Sequence, residues 1–196
     1  MDKMRKEIIL DKVYNMVAEN PRDILLFKDQ YITDDLWIFA IRLDPSLFRM
    51  VKRPSIKVCY AGIESDGMNL KHVKDVGYEI TPKMALTAVK STPAAIFLVP
   101  KNMTTDDLIE LACDKDPSLM KEFKLKDSYI NRKIKENPSV LQYIDATEDQ
   151  QLLAIKLSPY SCTYIKNPSP KVKQTLYEIS PEIYQMRFRT TQLTDE

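Results

Sequence analysis

Histidine, tryptophan, glycine and cysteine are scarce in this chain of 196 residues, which has one histidine, one tryptophan, three glycines and three cysteines. With His72 as the lone imidazole, no histidine cluster can form and any histidine acid–base step rests on one side chain. Three glycines cannot build a Gly-rich phosphate loop, and no nucleophile elbow or paired-cysteine metal motif is present. The three cysteines, Cys59, Cys113 and Cys162, fall in three different repeats and do not suggest a disulfide framework, so a reduced, cytosolic chain is expected. No apolar run approaches the ~20 residues that span a bilayer. The opening stretch, Met1 to Lys12, lacks a long apolar core, so no signal peptide is predicted. A formal net charge of +1 gives no bulk attraction for nucleic acid, membrane or an acidic partner.

Proline, by contrast, occurs twelve times, and much of it is periodic. Thr33–Leu47 and Thr105–Leu119 both read T-D-D-L-x-x-x-A-x-x-x-D-P-S-L, 72 residues apart. Such self-similarity marks a repeat architecture. Taking Pro45 as an anchor, equivalents stand at Pro21, Pro93, Pro117, Pro138, Pro159 and Pro181, with Gly67 in the remaining place. The steps are 24, 22, 26, 24, 21, 21 and 22 residues. Each anchor follows Asn20, Asp44, Asp66, Thr92, Asp116, Asn137, Ser158 or Ser180, all good helix N-caps. Proline is favoured just after the cap because its missing N–H is not needed there. Each anchor therefore predicts the start of a short helix.

Apolar positions repeat with the anchors. Four residues before them stand Val17, Ile41, Ile63, Val89, Cys113, Ile134, Ile155 and Tyr177. Three residues after come Ile24, Phe48, Leu70, Ile96, Met120, Leu141, Cys162 and Tyr184. Six residues after come Phe27, Val51, Val73, Val99, Phe123, Ile144 and Ile165, and then Arg187. Five residues before, Ala40, Gly62, Ala88, Ala112 and Ala154 are small enough for neighbouring helices to approach, a rule that Met16, Lys133 and Leu176 break. Each unit reads as a helix of roughly 10 residues followed by one of roughly 8. A helix that short cannot bury its apolar face alone, whereas stacked units share a continuous core. The fold expected is all-α: an α-solenoid, or superhelix, of about eight short helix-pair repeats of 21–26 residues. Residues 1–189 would form a single helical-repeat domain, with 190–196 as a flexible tail.

The third unit is irregular, since Gly62, Gly67 and Gly77 all fall in it beside His72. Val76-Gly77-Tyr78 looks like a helix stop. The stretch is either a looser turn or a hinge or ligand loop.

The pattern around Ile165-Lys166-Asn167-Pro168-Ser169-Pro170-Lys171-Val172, followed by Ile179-Ser180-Pro181, resembles the short tandem two-helix repeats of bacterial and bacteriophage proteins of unknown function. It is also similar to variant leucine-rich repeats and, more distantly, to HEAT-like repeats. The resemblance covers most of the chain and brings no catalytic residues with it. It implies macromolecular binding. If the chain is viral, it implies an inhibitor of a host defence or regulatory protein, acting in the host cytoplasm.

Individual residues mostly have structural explanations. Asp34/Asp35 and Asp106/Asp107 follow helix caps, where negative charge favours the helix N-terminus, so no metal is predicted. No catalytic residue, cofactor or small-molecule substrate is expected either, and Trp37 is expected in the core. Three tyrosines off the apolar ladder, Tyr143, Tyr160 and Tyr164, are candidate partner contacts, because tyrosine is enriched where interfaces derive their energy. Tyr129, Arg132, Lys133 and Lys135 lie in a basic stretch, 121–136, that could grip a phosphate backbone. The leading expectation is a non-enzymatic scaffold with a concave protein-binding surface. The alternative is a nucleic-acid binder using 121–135 with Lys166, Lys171 and Lys173. An enzyme with a site in 62–78 ranks third.

If the repeat register is right, Ile96→Asp and Ala112→Glu each bury an unpaired charge, which costs several kcal/mol. Both variants should lose the cooperative unfolding transition expected of the parent, read by circular dichroism; parental stability would refute the register.

Overall fold

The computed structural model describes residues 2–188; the expected tail, 190–196, lies outside the described residues. Helix makes up 78% of the structure, and no strand occurs among the described residues. The α-helices are α1 (Asp2–Glu19), α2 (Asp34–Leu43), α3 (Ile56–Ser65), α4 (Leu70–Asp75), α5 (Pro82–Ser91), α6 (Asp106–Lys115), α7 (Asp127–Glu136), α8 (Glu148–Leu157), α9 (Pro170–Ile179) and α10 (Pro181–Phe188). By contact the elements group into two compact units, Met1–Lys115 and Asp116–Glu196, although the sequence pattern runs through the junction without a break.

The repeat is more regular than its sequence suggests. α2, α3, α5, α6, α7, α8 and α9 are each 10 residues long. Thr33, Ser55, Thr81, Thr105, Thr147 and Ser169 cap six of them, each hydroxyl accepting from the backbone N–H three residues on. Lys126 precedes α7 and cannot do this. At Thr147 the cap is reciprocal, because the Gln150 side chain accepts from the Thr147 N–H.

Each anchor opens a short helix, as the sequence predicts, but most of these are 3₁₀ rather than α. Pro21–Leu26, Pro45–Met50, Pro93–Leu98, Pro117–Glu122, Pro138–Tyr143 and Pro159–Tyr164 are six-residue 3₁₀ helices. A 3₁₀ helix has three residues per turn, so positions three and six after the anchor fall on one face. The apolar spacing of three and three is the signature of that geometry. Seven of the eight residues three after the anchor are buried, from Ile24 to Cys162. So are seven of the eight residues four before it, from Val17 to Ile155.

The end of the chain departs from the pattern. Tyr177 occupies a ladder position but is 48% exposed, and Tyr184 is half-buried. With Phe188 they form an aromatic chain, at ring-centroid distances of 5.4 and 5.1 Å. No later repeat covers them among the described residues. Arg187, at the ladder place six after the last anchor, donates to the Ile165 carbonyl at 3.5 Å.

Two caps also differ from expectation. Asn20, Asp44, Asp66, Asp116 and Asn137 accept from the N–H two residues on. Thr92 and Ser158 make no such bond. The Thr92 hydroxyl instead serves the preceding repeat: it donates to Asp66 Oδ1 at 3.0 Å and accepts from the Gly67 N–H at 2.9 Å. A proline at position 67 would have no N–H to give.

Gly67 is required for a second reason. A Cβ there would lie 2.1 Å from the Ala88 carbonyl oxygen, and Ala88 is the small residue five before the next anchor. Gly62, in the same place one repeat earlier, sits against the Phe48 ring, which a Cβ would meet at 2.7 Å. Asn69 locks the same junction, its Nδ2 donating to the Pro45 and Gly62 carbonyls at 3.1 and 3.0 Å. Gly77 has φ +92° and ends α4: its N–H donates to the Lys74 carbonyl and that of Tyr78 to the Val73 carbonyl. This is a Schellman stop. The three glycines thus serve two close approaches and one helix end.

Ion pairs and hydrogen bonds link successive repeats. In the first unit Arg22 Nε donates to Asp44 Oδ2 at 3.2 Å, and the Tyr78 hydroxyl donates to the Pro54 carbonyl at 3.0 Å. In the second, Gln150 Nε2 donates to Asp127 Oδ1 at 3.2 Å, and Lys171 meets Glu148 at 3.5 Å.

Gly67→Ala should destabilise the protein more than Gly62→Ala, because backbone cannot swing aside as the Phe48 ring can. Both costs should be on the order of 1–3 kcal/mol, read from urea midpoints. Hydrogen bonds from Ser46, then Arg22, hold the Asp44 carboxyl below the usual carboxylate range. A depressed pKa in the folded state stabilises at neutral pH and is lost as pH falls through that value. Asp44→Asn should therefore melt below the parent at pH 7, and the two melting curves should converge as the pH falls below the usual carboxylate range.

Candidate interaction groove

The second unit carries a groove that crosses successive repeats. Its floor is the apolar ladder itself: Met120 and Phe123 from one repeat, Leu141 and Ile144 from the next, and Ile165 from the third. Two confluent clefts, of about 320 and 240 Å³, share Gln142, Ile144, Asp145 and Lys166. The groove arises because the short helices end at the sixth residue after the anchor. From Phe123, Ile144 and Ile165 the backbone runs extended, leaving a gap between adjacent connections.

Equivalent positions of the repeat line its walls. Tyr143 and Tyr164 both stand five residues after their anchors; Tyr143 is half-buried and Tyr164 is 39% exposed. Asp145 and Lys166 both stand seven residues after, and both are exposed. Neither makes an ion pair or hydrogen bond among the described residues. Lys121, at the other end, lies 3.9 Å from Glu122. In the wall Gln151 Nε2 donates to the Ala146 carbonyl at 2.9 Å.

The candidate residues therefore separate. Tyr143 and Tyr164 come together on the groove. Tyr160 does not line it; it is 63% exposed at the start of its short helix, where its carbonyl accepts from the Thr163 hydroxyl. Tyr129 is buried, at 2% exposure, under the Arg132 guanidinium 5.1 Å from its ring centroid. As the third residue of α7, Tyr129 points into the core, so its ring is not presented at the surface as expected for a partner contact. Arg132, Lys133 and Lys135 lie on α7 outside the groove lining, and Lys133 pairs with Glu136 one turn on. Lys171 is matched by Glu148, and Lys173 lies 5.3 Å from the Phe188 ring centroid. Asp145 and Gln142 were not singled out by sequence; the signal that could have found them is their position relative to the anchor.

No family model, curated protein or solved structure matches the chain. What the groove offers a partner is set by its own side chains: apolar floor, two phenol rings and free charges of both signs.

The remaining candidates for chemistry are built into the fold. His72 Nδ1 is 3.4 Å from Asp75 Oδ2, one turn away on α4. The aspartate pairs occupy the first turns of α2 and α6. Among the described residues no group of three or more His, Cys, Asp or Glu gathers as metal ligands would, and no helix is long and apolar enough to cross a membrane. All three cysteines are buried and outside any disulfide. Burial pushes Cys59 up to about 11 and raises Cys162, leaving thiols rather than thiolates at neutral pH. Trp37, expected in the core, is half-buried.

Tyr129→Ala should cost about 3 kcal/mol or more, as deletion of a buried aromatic does. Tyr164→Ala and Tyr160→Ala should leave the thermal midpoint near that of the parent. Equal losses for all three would show that the exposed tyrosines are structural.

Proposed function

We propose that this chain is a non-enzymatic helical-repeat scaffold, its helix pairs stacked as an α-solenoid, that binds a protein partner. The observation that carries this reading is the groove of the second unit. Two tyrosines one repeat apart flank an apolar floor beside the unpaired charges of Asp145 and Lys166. Tyrosine contributes large contact area at low entropic cost, and mixed charges at the rim of an apolar cleft select a partner by complementarity. The short tandem repeats named from sequence mostly serve as binding frameworks, which agrees with it.

The nucleic-acid reading has weaker support. Its aromatic, Tyr129, is buried, Lys133 and Lys171 are matched by carboxylates, and Asp145 and Glu122 place negative charge beside the basic groups of the groove. Backbone binding needs uncompensated cations along one track.

An affinity-tagged chain, incubated with lysate at moderate salt and treated with nuclease, should retain one stoichiometric protein identified by mass spectrometry. Complete loss of partners on nuclease treatment would transfer the function to nucleic acid. A defined catalytic turnover by the purified chain would refute the scaffold reading.

A further inference from the structure

We propose that the groove of the second unit is a site for a polyproline II segment of the partner, carrying an acidic and a basic side chain three residues apart. The inference rests on the protein-binding reading above and names the partner's local chemistry.

The argument is one of matched periods. The groove presents the same positions of successive repeats, so its features recur once per repeat: Tyr143 then Tyr164, and Asp145 then Lys166. Packed helices stand roughly 8–10 Å apart. A polyproline II helix has three residues per turn and rises 3.1 Å per residue, or about 9 Å per turn. Every third side chain of such a segment therefore meets the next repeat in the same orientation. A β-strand does not have this property, since its side chains alternate faces and residues three apart point in opposite directions. An α-helix rises only about 5.4 Å per turn and would fall out of step with the repeats.

The groove's chemistry selects the same occupant. Proline-rich segments dock in grooves lined by aromatic rings, which pack against the pyrrolidine faces. Tyr143 and Tyr164 provide two such rings. The free carboxylate of Asp145 and the free ammonium of Lys166 call for a base and an acid on the ligand, in that order and one turn apart. Nucleic acid meets only one of these charges favourably. A preformed, low-entropy ligand conformation also suits a site whose own backbone is held by the repeat.

The test is selection of displayed random peptides of about nine residues, long enough at 3.1 Å per residue to cross the groove. The full-length chain is the bait. Enriched peptides should contain proline and an acid–base pair three residues apart. Their affinity should fall about tenfold or more on Tyr164→Ala and on Lys166→Glu, both exposed positions whose folding is checked by thermal melting. Replacing the peptide's acid with lysine should restore binding to Lys166→Glu, an effect that a merely structural role for Lys166 would not produce. No enrichment, enriched peptides lacking this spacing, or binding indifferent to both substitutions would each overturn the proposal. If the chain still captures a folded protein partner that ignores Lys166→Glu, the groove assignment falls while the scaffold function stands. If only nucleic acid is captured, both fall.

Discussion

Close approach between successive repeats is the constraint on which the rest depends. At two places the residue five before an anchor faces the short helix of the repeat before it. At Gly62 that neighbour is the Phe48 ring, and at Ala88 it is the backbone of Gly67. A large side chain at either place would separate two layers and open the ladder they share. The consequence extends to hydrogen bonding, because only at this distance can Asn69 reach the Pro45 and Gly62 carbonyls, or Thr92 the cap of the preceding repeat.

That packing decides the use of 3₁₀ helix. Six residues after a proline must turn two apolar side chains, three apart, towards one core and then release the chain into an extended connection. Three residues per turn achieve this, whereas in an α-helix two side chains three residues apart are offset by about 60°. The 3₁₀ form is usually limited to three or four residues; here burial of the ladder on one face sustains six. Because each short helix stops where its second apolar residue is placed, the outward positions just before and after that stop line up from repeat to repeat. The groove is the outcome of that register in the second unit.

Outside the core, the same register fixes which charges stand at equivalent places. Lysines at equivalent places, Lys28, Lys52 and Lys74, are exposed on the first unit. In the second unit the corresponding places hold Lys124, Asp145 and Lys166, so the sign alternates. Tyrosine occupies the position two residues earlier in the last two of these repeats. The groove's side chains thereby vary on a structural repeat without disturbing its core, since the core uses different positions of the same unit.

Repeat length, anchors, small positions and the apolar ladder were legible from the sequence alone, because backbone-determined signals such as proline, capping side chains and glycine recur at fixed offsets. The same offsets also contained the three-residue period of the short helices. What tertiary structure decided was orientation. Tyr129 and Tyr164 look alike in sequence, yet one is enclosed beneath Arg132 and the other stands at a groove. Tyr177 occupies a core position and is nevertheless exposed, because burial needs a following layer as well as a suitable residue. Local patterns specify which face a side chain shares; only the packing of neighbouring repeats determines whether that face is covered, and so which residues remain free to meet a partner.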